Sequence, residues 1–496
     1  MKNRILLALS VIFASLQLQA QTQGIAFSHV GKGVSTPFVT DYQSLGVNVS
    51  ALGWGTGYEN KRFTAGSSEF AFSIYSDSLN VTKLRNLYKA VRTSVMNKDP
   101  QDLNYQQQRE AAAEYAQAGI AMNLDYNWAG FSFQTPKFGG IAFNIRENYQ
   151  YYSKFNQQTT DLIFRGKLSS LFDSLTVVFG SDTTRIENND NISQDTLAAV
   201  IQGSIGIPVS LSSITKGSEM RMVWNRTYEL GYGRKIFGKD SIFVVYGGIG
   251  GRIISSMAMF NMTSDDAGLV MYSSITPAFN IDYATIAGTN QMKYDGGIPP
   301  AVGQGYGVDL AASVIILNKI KVAVAVNNIG SVKYTQNVYK VRDTLFGSFS
   351  LAGLSDVDIT QSINQLLTDG GILSLEGQRE YILKNASTFR FGASFEPAPF
   401  LKLGFDMVAP FNSENPGSIQ NAVFSFGGEV RPVKWIALNA GYFGGGIYKS
   451  NIPVGITFIL KEGAYECGIA SRDALSFFFE NSNSVSTAFG FARFRF

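Results

Sequence analysis

Between Gly139 and Tyr152 apolar and polar side chains alternate, and this alternation restricts the folds open to the chain more than any other feature. Ile141, Phe143 and Ile145 fall on one face of an extended segment, while Asn144, Arg146 and Asn148 fall on the other. A sandwich core would not accommodate a face carrying arginine and asparagine; a wet lumen would. The same period recurs over Ile120, Met122, Leu124, Tyr126 and Trp128, and over Phe70, Phe72 and Ile74. Charged residues make up only 16% of the 496 residues, against about 25% in soluble domains. Together these features predict an all-β fold, a transmembrane antiparallel β-barrel with lipid outside and water inside.

The ends of the chain support that expectation. Lys2 and Arg4, the apolar run Ile5 to Ala14 and the exit Leu18-Gln19-Ala20 read as a secretory signal over residues 1–20. That apolar run is too short for the roughly 20 residues a spanning helix needs. Cys467 is the only cysteine, so no internal disulfide is available. At the other end Phe494 and Phe496 match the aromatic positions of a C-terminal signal read by the barrel assembly machinery.

Counting back from Phe496, strands are expected near 486–496, 464–472, 451–460, 434–448, 420–431, 400–411, 386–397, 320–338, 303–317, 241–257, 219–237, 139–152, 120–134 and 62–76. That makes about 14, an even number as bacterial barrels require, and 16 if Leu269 to Tyr283 adds strands. On this register Thr135 to Phe138, Gly238 to Asp240, Asn318-Lys319, Ala398-Pro399, Pro432-Val433 and Lys461 to Gly463 are tight turns at one end. Every long connection falls at the other end, and three of its stretches have helical spacing: Leu84 to Val91, Tyr105 to Gln117 and Ile359 to Leu367. The barrel proper is thus residues 61–496, with partly helical outer loops.

Residues 21–60 precede the first strand and are rich in Gly, Ser and Val, less polar than a free tail. An ordered plug within the lumen is the expectation. Asn48, Ser50, Leu52, Gly53 and Trp54 form its most distinctive stretch. Here the chain resembles barrels related to the long-chain fatty-acid transporters, whose N-terminal hatch carries an Asn-Pro-Ala-x-Leu type motif, although Val49 stands at the proline position. Gly303 to Leu310, followed by Val326-Asn327-Asn328-Ile329-Gly330, is similar to a glycine-rich strand and hairpin of that superfamily. Gly140 to Tyr149 and Tyr228 to Arg234 resemble an uncharacterised domain-of-unknown-function family of exported outer-membrane barrels.

Chemistry on the chain is sparse. His29 is the only histidine, no Gly-x-Ser-x-Gly accompanies it, and paired-histidine zinc sites are impossible. Gly233 to Lys239 approaches a phosphate-binding loop, but Asp240 stands where Ser or Thr should be, and Gly247 to Gly251 reads as a bent strand. Without Lys2 and Arg4 the chain carries 39 positive and 38 negative residues, which does not favour nucleic acid. No enzyme, cofactor or metal is expected. The resemblance implies passive transport of hydrophobic or amphipathic small molecules across the outer membrane of a Gram-negative cell. The alternative is a non-transport scaffold or partner in surface protein secretion.

Overall fold

The structure is a computed structural model that describes residues 27–58, 60–76, 78–80, 82–83, 105–239, 242–279, 290–350, 374–419, 421–445, 448–474 and 484–496. The secretory signal and the helices expected at 84–91 and 359–367 lie outside the described residues.

Fourteen antiparallel strands form the wall. They are β1 (Phe63–Ser76), β2 (Ile120–Thr135), β3 (Gly139–Lys154), β4 (Glu219–Lys239), β5 (Phe243–Asp265), β6 (Gly303–Ile316) and β7 (Ile320–Tyr334). The second half comprises β8 (Thr388–Ala398), β9 (Leu401–Pro410), β10 (Val423–Val433), β11 (Ile436–Gly445), β12 (Val454–Leu460), β13 (Tyr465–Ser471) and β14 (Ser484–Arg495). Each pairs with its sequence neighbour, and β14 closes on β1 from Thr64↔Arg495 to Tyr75↔Ser484, which leaves no edge in the wall. All fourteen expected strands are present.

Six short connections share one end. Leu317 and Asn318 have positive φ (51° and 55°), as do Lys461 and Glu462 (48° and 55°). Two consecutive left-handed residues make the turn whose twist matches a hairpin. Long connections occupy the opposite end.

The two faces of the wall divide as the period of two demands. Phe131 pairs with Phe143 and Phe133 with Ile141 on the outside, whereas Asn123, Asp125, Asn144 and Gln150 point inward and are buried. Glu147 breaks the pattern by facing outward. It accepts hydrogen bonds from Trp128 Nε1 (2.8 Å) and Trp224 Nε1 (2.6 Å) and pairs with Arg226 (3.2 Å), so the charges on the lipid face are matched.

Some expectations change at the long-loop end. Residues Gly268–Ile275 do form a strand, but it pairs with the upper part of β5 and with Val338–Arg342, above the barrel. The wall therefore has 14 strands and not 16. The expected helix at 105–117 is present as Tyr105–Tyr115. Beside it stands a feature that helical periodicity did not reveal: a four-stranded sheet of Ser174–Phe179, Asp182–Glu187, Val200–Ser210 and Leu345–Phe349. This outer sheet has its own core of Leu168, Phe172, Leu175, Val177, Val200 and Ile214. The helix Gln157–Arg165 supports it, capped where Asn156 Oδ1 accepts from the Thr159 amide (2.7 Å).

Candidate functional site

Residues 27–58 lie inside the barrel and contact the wall around its circumference. Lys32 pairs with Glu429 of β10 (2.6 Å), and the amides of Ser35 and Thr36 both donate to Asp406 of β9 (3.0 Å each). Asp41 meets Arg493 of β14 (2.6 Å), which Glu466 of β13 also holds (2.9 Å). Tyr42 and Gln43 donate to Glu69 of β1 at 2.6 and 2.9 Å. Asn327 of β7 donates to the carbonyl of Val47 (3.1 Å), and Gln134 of β2 to that of Leu52 (3.0 Å).

Glycine makes this close approach possible. A Cβ on Gly427 or Gly441 would collide with the carbonyl oxygen of Lys32. Inward glycines at these positions let one backbone rest on another.

The five expected plug residues come together. Asn48 donates to the carbonyl of Thr36 (2.9 Å) and so ties two passes of the segment, while Ser50 donates to Asn48 Oδ1 (2.6 Å). Val49–Trp54 is a 3₁₀ helix, so the turn forms with valine in place of proline. Leu52 joins Tyr42, Leu45, Val49 and Ala142 in an apolar cluster. Gly53 lies against Arg234 and Tyr246 near the short-turn end. Trp54 Nε1 donates to Ser313 (2.9 Å), and its ring lies 5.1 Å from the ammonium of Lys321. Phe494 and Phe496 do not join this group; they are exposed on the outer wall beside Tyr465 and Phe63.

His29 is buried in the segment, and its Nδ1 has no hydrogen-bond partner among the described residues. Burial first, and then the positive charges of Lys32 and Arg493, push its pKa well below the ordinary histidine value. Glu466 and Glu429 oppose that shift.

Above the segment, toward the long-loop end, is a cavity of about 80 Å³. Its floor is charged. Arg252 pairs with Asp309 (2.6 Å) and Glu229 (3.1 Å), Arg146 approaches Glu229 (3.6 Å), and Asp125 accepts from Asn148. One side is apolar, formed by Val223, Ile254, Val332, Tyr334 and Leu383. A second cavity of about 40 Å³ lies among His29, Ser35, Arg390, Asp406 and Arg472.

Residues 411–419, between β9 and β10, lie over the barrel mouth. Arg221 of β4 donates to the carbonyl of Ser413 (2.8 Å), and Gly417 abuts Gln150 of β3. Ile419 is fully buried in a cluster that joins Val408, Val423 and Phe443 of β9, β10 and β11 to Tyr75, Ala121 and Tyr152 from β1, β2 and β3. These strands lie across the barrel from β9 and β10, so the loop spans the lumen.

Sequence reasoning did not single out Asp41, Glu229, Arg252, Asp309, Glu466 or Arg493. For the five on strands the one signal is position, since each falls on the face that carries polar neighbours; Asp41, in a 3₁₀ turn of the segment, has no such signal.

Fold and site define a membrane-spanning barrel of 14 strands whose lumen is filled by its own N-terminal segment. The chain belongs to a family of unknown function, DUF5723, whose sequence profile matches residues 176–462. Among solved structures it is similar to the toluene transporter TodX of Pseudomonas putida, with 9% identity and a TM-score of 0.41, covering 97% of this chain and 99% of that one. It is also similar to a Pseudomonas aeruginosa FadL homologue, with 10% identity and a TM-score of 0.41, covering 96% and 99%. No curated protein matches the sequence.

Proposed function

We propose that this protein is an outer-membrane conduit for small amphipathic molecules, with residues 27–58 as the hatch of its lumen. The observation that carries this reading is the two-sided chemistry of the cavity above that segment. A charged floor at Arg146, Glu229 and Arg252 suits a polar head, and the flank of Val223, Ile254, Val332 and Leu383 suits a short apolar body. A purely hydrocarbon ligand would leave the floor's ion pairs desolvated without compensation, so the amphipathic class is preferred over the hydrophobic one. In this reading the long-loop end faces outward, the wall is solvated by outer-membrane lipid, and Phe494 and Phe496 engage the assembly machinery.

A second reading rests on the outer sheet, which folds around its own core and exposes Ile207 and Leu345 at 81% and 75%. Exposed apolar side chains on an independent outer module suit a partner in surface protein secretion. Purification from the native membrane followed by mass spectrometry of the bound material separates the two. A conduit yields a stoichiometric small amphiphile that is lost on Arg252→Ala together with Glu229→Ala. Stoichiometric protein that is released by deletion of the outer sheet, with no small molecule, overturns the conduit.

A further inference from the structure

The cavity is lined by Gly46 of the N-terminal segment on one side and by Pro416 of the β9–β10 loop on another. We propose that it is a binding chamber partly roofed by the β9–β10 loop, and that entry of a ligand larger than the present space requires this loop to lift. The inference rests on the conduit reading and names its ligand site and its gate.

Three observations carry it. First, the loop is anchored to the far wall as well as to its own: Arg221 holds Ser413, and Ile419 is buried beside Tyr75, Ala121 and Tyr152 in addition to Val408, Val423 and Phe443. A connection with no role in the lumen would be expected to run over the surface. Second, Pro416 lines the cavity directly, so the loop forms part of the chamber's surface. Third, about 80 Å³ of space is too small for a drug-sized ligand, whose pockets run to about 300–1,000 Å³. A molecule long enough to reach from the Arg146–Arg252 floor past Tyr334 fits only when the roof moves.

The loop is built to have two states. Its hold consists of one apolar side chain and a few hydrogen bonds, among them Arg221 to Ser413 and Asn415 Nδ2 to the carbonyl of Lys384 (2.8 Å). Gly417, with φ of 80°, sits between the anchors. Losing such a hold affects the roof while leaving the wall ladder intact.

The test places one thiol on the chamber surface, Thr227→Cys in a Cys467→Ser background, and measures its reaction with a sulfonated maleimide on the full chain in detergent. Thr184→Cys on the exposed outer strand supplies the rate of an open thiol. With the native roof the chamber thiol should react far more slowly than that reference. Ile419→Asn should accelerate it about tenfold to a hundredfold, the shift in open population expected from losing one buried isoleucine. Arg221→Ala, which spares the apolar cluster, should accelerate it by a smaller factor and serves if Ile419→Asn does not fold, judged by heat-dependent gel mobility. A chamber thiol that reacts at the reference rate with the native roof overturns the proposal. So does an unchanged rate in the folded roof variants. Faster labelling with no co-purified amphiphile would keep the roof and sink the conduit.

Discussion

Asp41→Asn is the most direct perturbation of the N-terminal segment. Asp41 and Glu466 face Arg493 and Arg495 in a buried square, with contacts at 2.6 Å (Asp41–Arg493), 3.6 Å (Asp41–Arg495), 2.9 Å (Glu466–Arg493) and 2.6 Å (Glu466–Arg495). Three of the four members belong to the wall; Asp41 alone belongs to the segment. Removing its charge leaves two guanidinium groups facing one carboxylate. Breaking a buried pair costs about 3–5 kcal/mol, and the lower end applies because Glu466 still serves both arginines. At about 1.4 kcal/mol per factor of ten, the docked population should fall by about two orders of magnitude relative to the undocked one. The assay is trypsin cleavage at Lys32 in the purified protein, read by mass spectrometry, with heat-dependent gel mobility to show an intact barrel. Cleavage that samples the open state should accelerate by the same factor. Asp41→Asn combined with Arg493→Gln restores neutrality, with Glu466 facing Arg495, and should recover most of the protection. A double variant cleaved faster than the single one, or a single variant cleaved at the native rate, would refute the electrostatic account of docking.

Three further outcomes are expected. Gly427→Val should expose Lys32 to trypsin while the barrel still shows heat-dependent mobility, because the new Cβ meets a carbonyl oxygen and overpacking costs about 1–3 kcal/mol or more; protection at the native level would mean that the close approach is unimportant. Because the folded pKa of His29 is depressed, the unfolded state binds the extra proton, and stability is present above about pH 6.5 and lost as pH falls below it, by up to about 1.4 kcal/mol per unit; His29→Gln should flatten the acid side of a urea-midpoint profile, and an unaltered profile would assign that slope to other groups. Glu147→Gln should lower the unfolding midpoint in bilayers by leaving Arg226 unpaired on the lipid face, by about 0–1 kcal/mol near the interface or 2–4 kcal/mol at midplane; if Glu147→Gln and Arg226→Gln both leave the midpoint unchanged, the pair is irrelevant to insertion.

The wall was legible because each strand carries its own evidence. Ile141, Phe143 and Ile145 must share a face whatever the rest of the chain does, and so must Asn144, Arg146 and Asn148. The turns were legible for the same local reason. Strand ends were less so: β5 runs on to Asp265, beyond the expected residue 257, because Gly268–Ile275 extends its ladder outside the barrel. The outer sheet was missed because three of its strands have only 5 or 6 residues and one of these, Leu345–Phe349, comes from a distant connection. Asn48, Ser50, Leu52, Gly53 and Trp54 were found through their clustered resemblance, which gave no hint of the wall residues that receive them.

Those wall residues show why a barrel's lumen is harder to read than its wall. Arg252 on β5 and Arg493 on β14 occupy equivalent inward positions on their strands, yet one forms part of the cavity floor and the other clamps the N-terminal segment. Arg252 pairs with Glu229 and Asp309 on the strands either side of it, whereas Arg493 pairs with Glu466 on one neighbour and with Asp41 of the segment; what separates them is where the segment passes through the closed ring. The β9–β10 loop depends on closure even more. Ile419 is an isolated apolar residue in a polar stretch, which locally reads as a surface connection. Val408, Val423 and Phe443 cover one side of it, and the rest of its burial exists because a barrel of this circumference brings Tyr75, Ala121 and Tyr152 within reach of a loop rooted on the opposite side. A change in strand number would therefore leave each strand's pattern intact and still take away the far-wall half of the roof's hold. Wall and gate are thus specified at different levels, the first by neighbours in sequence and the second by the diameter of the ring.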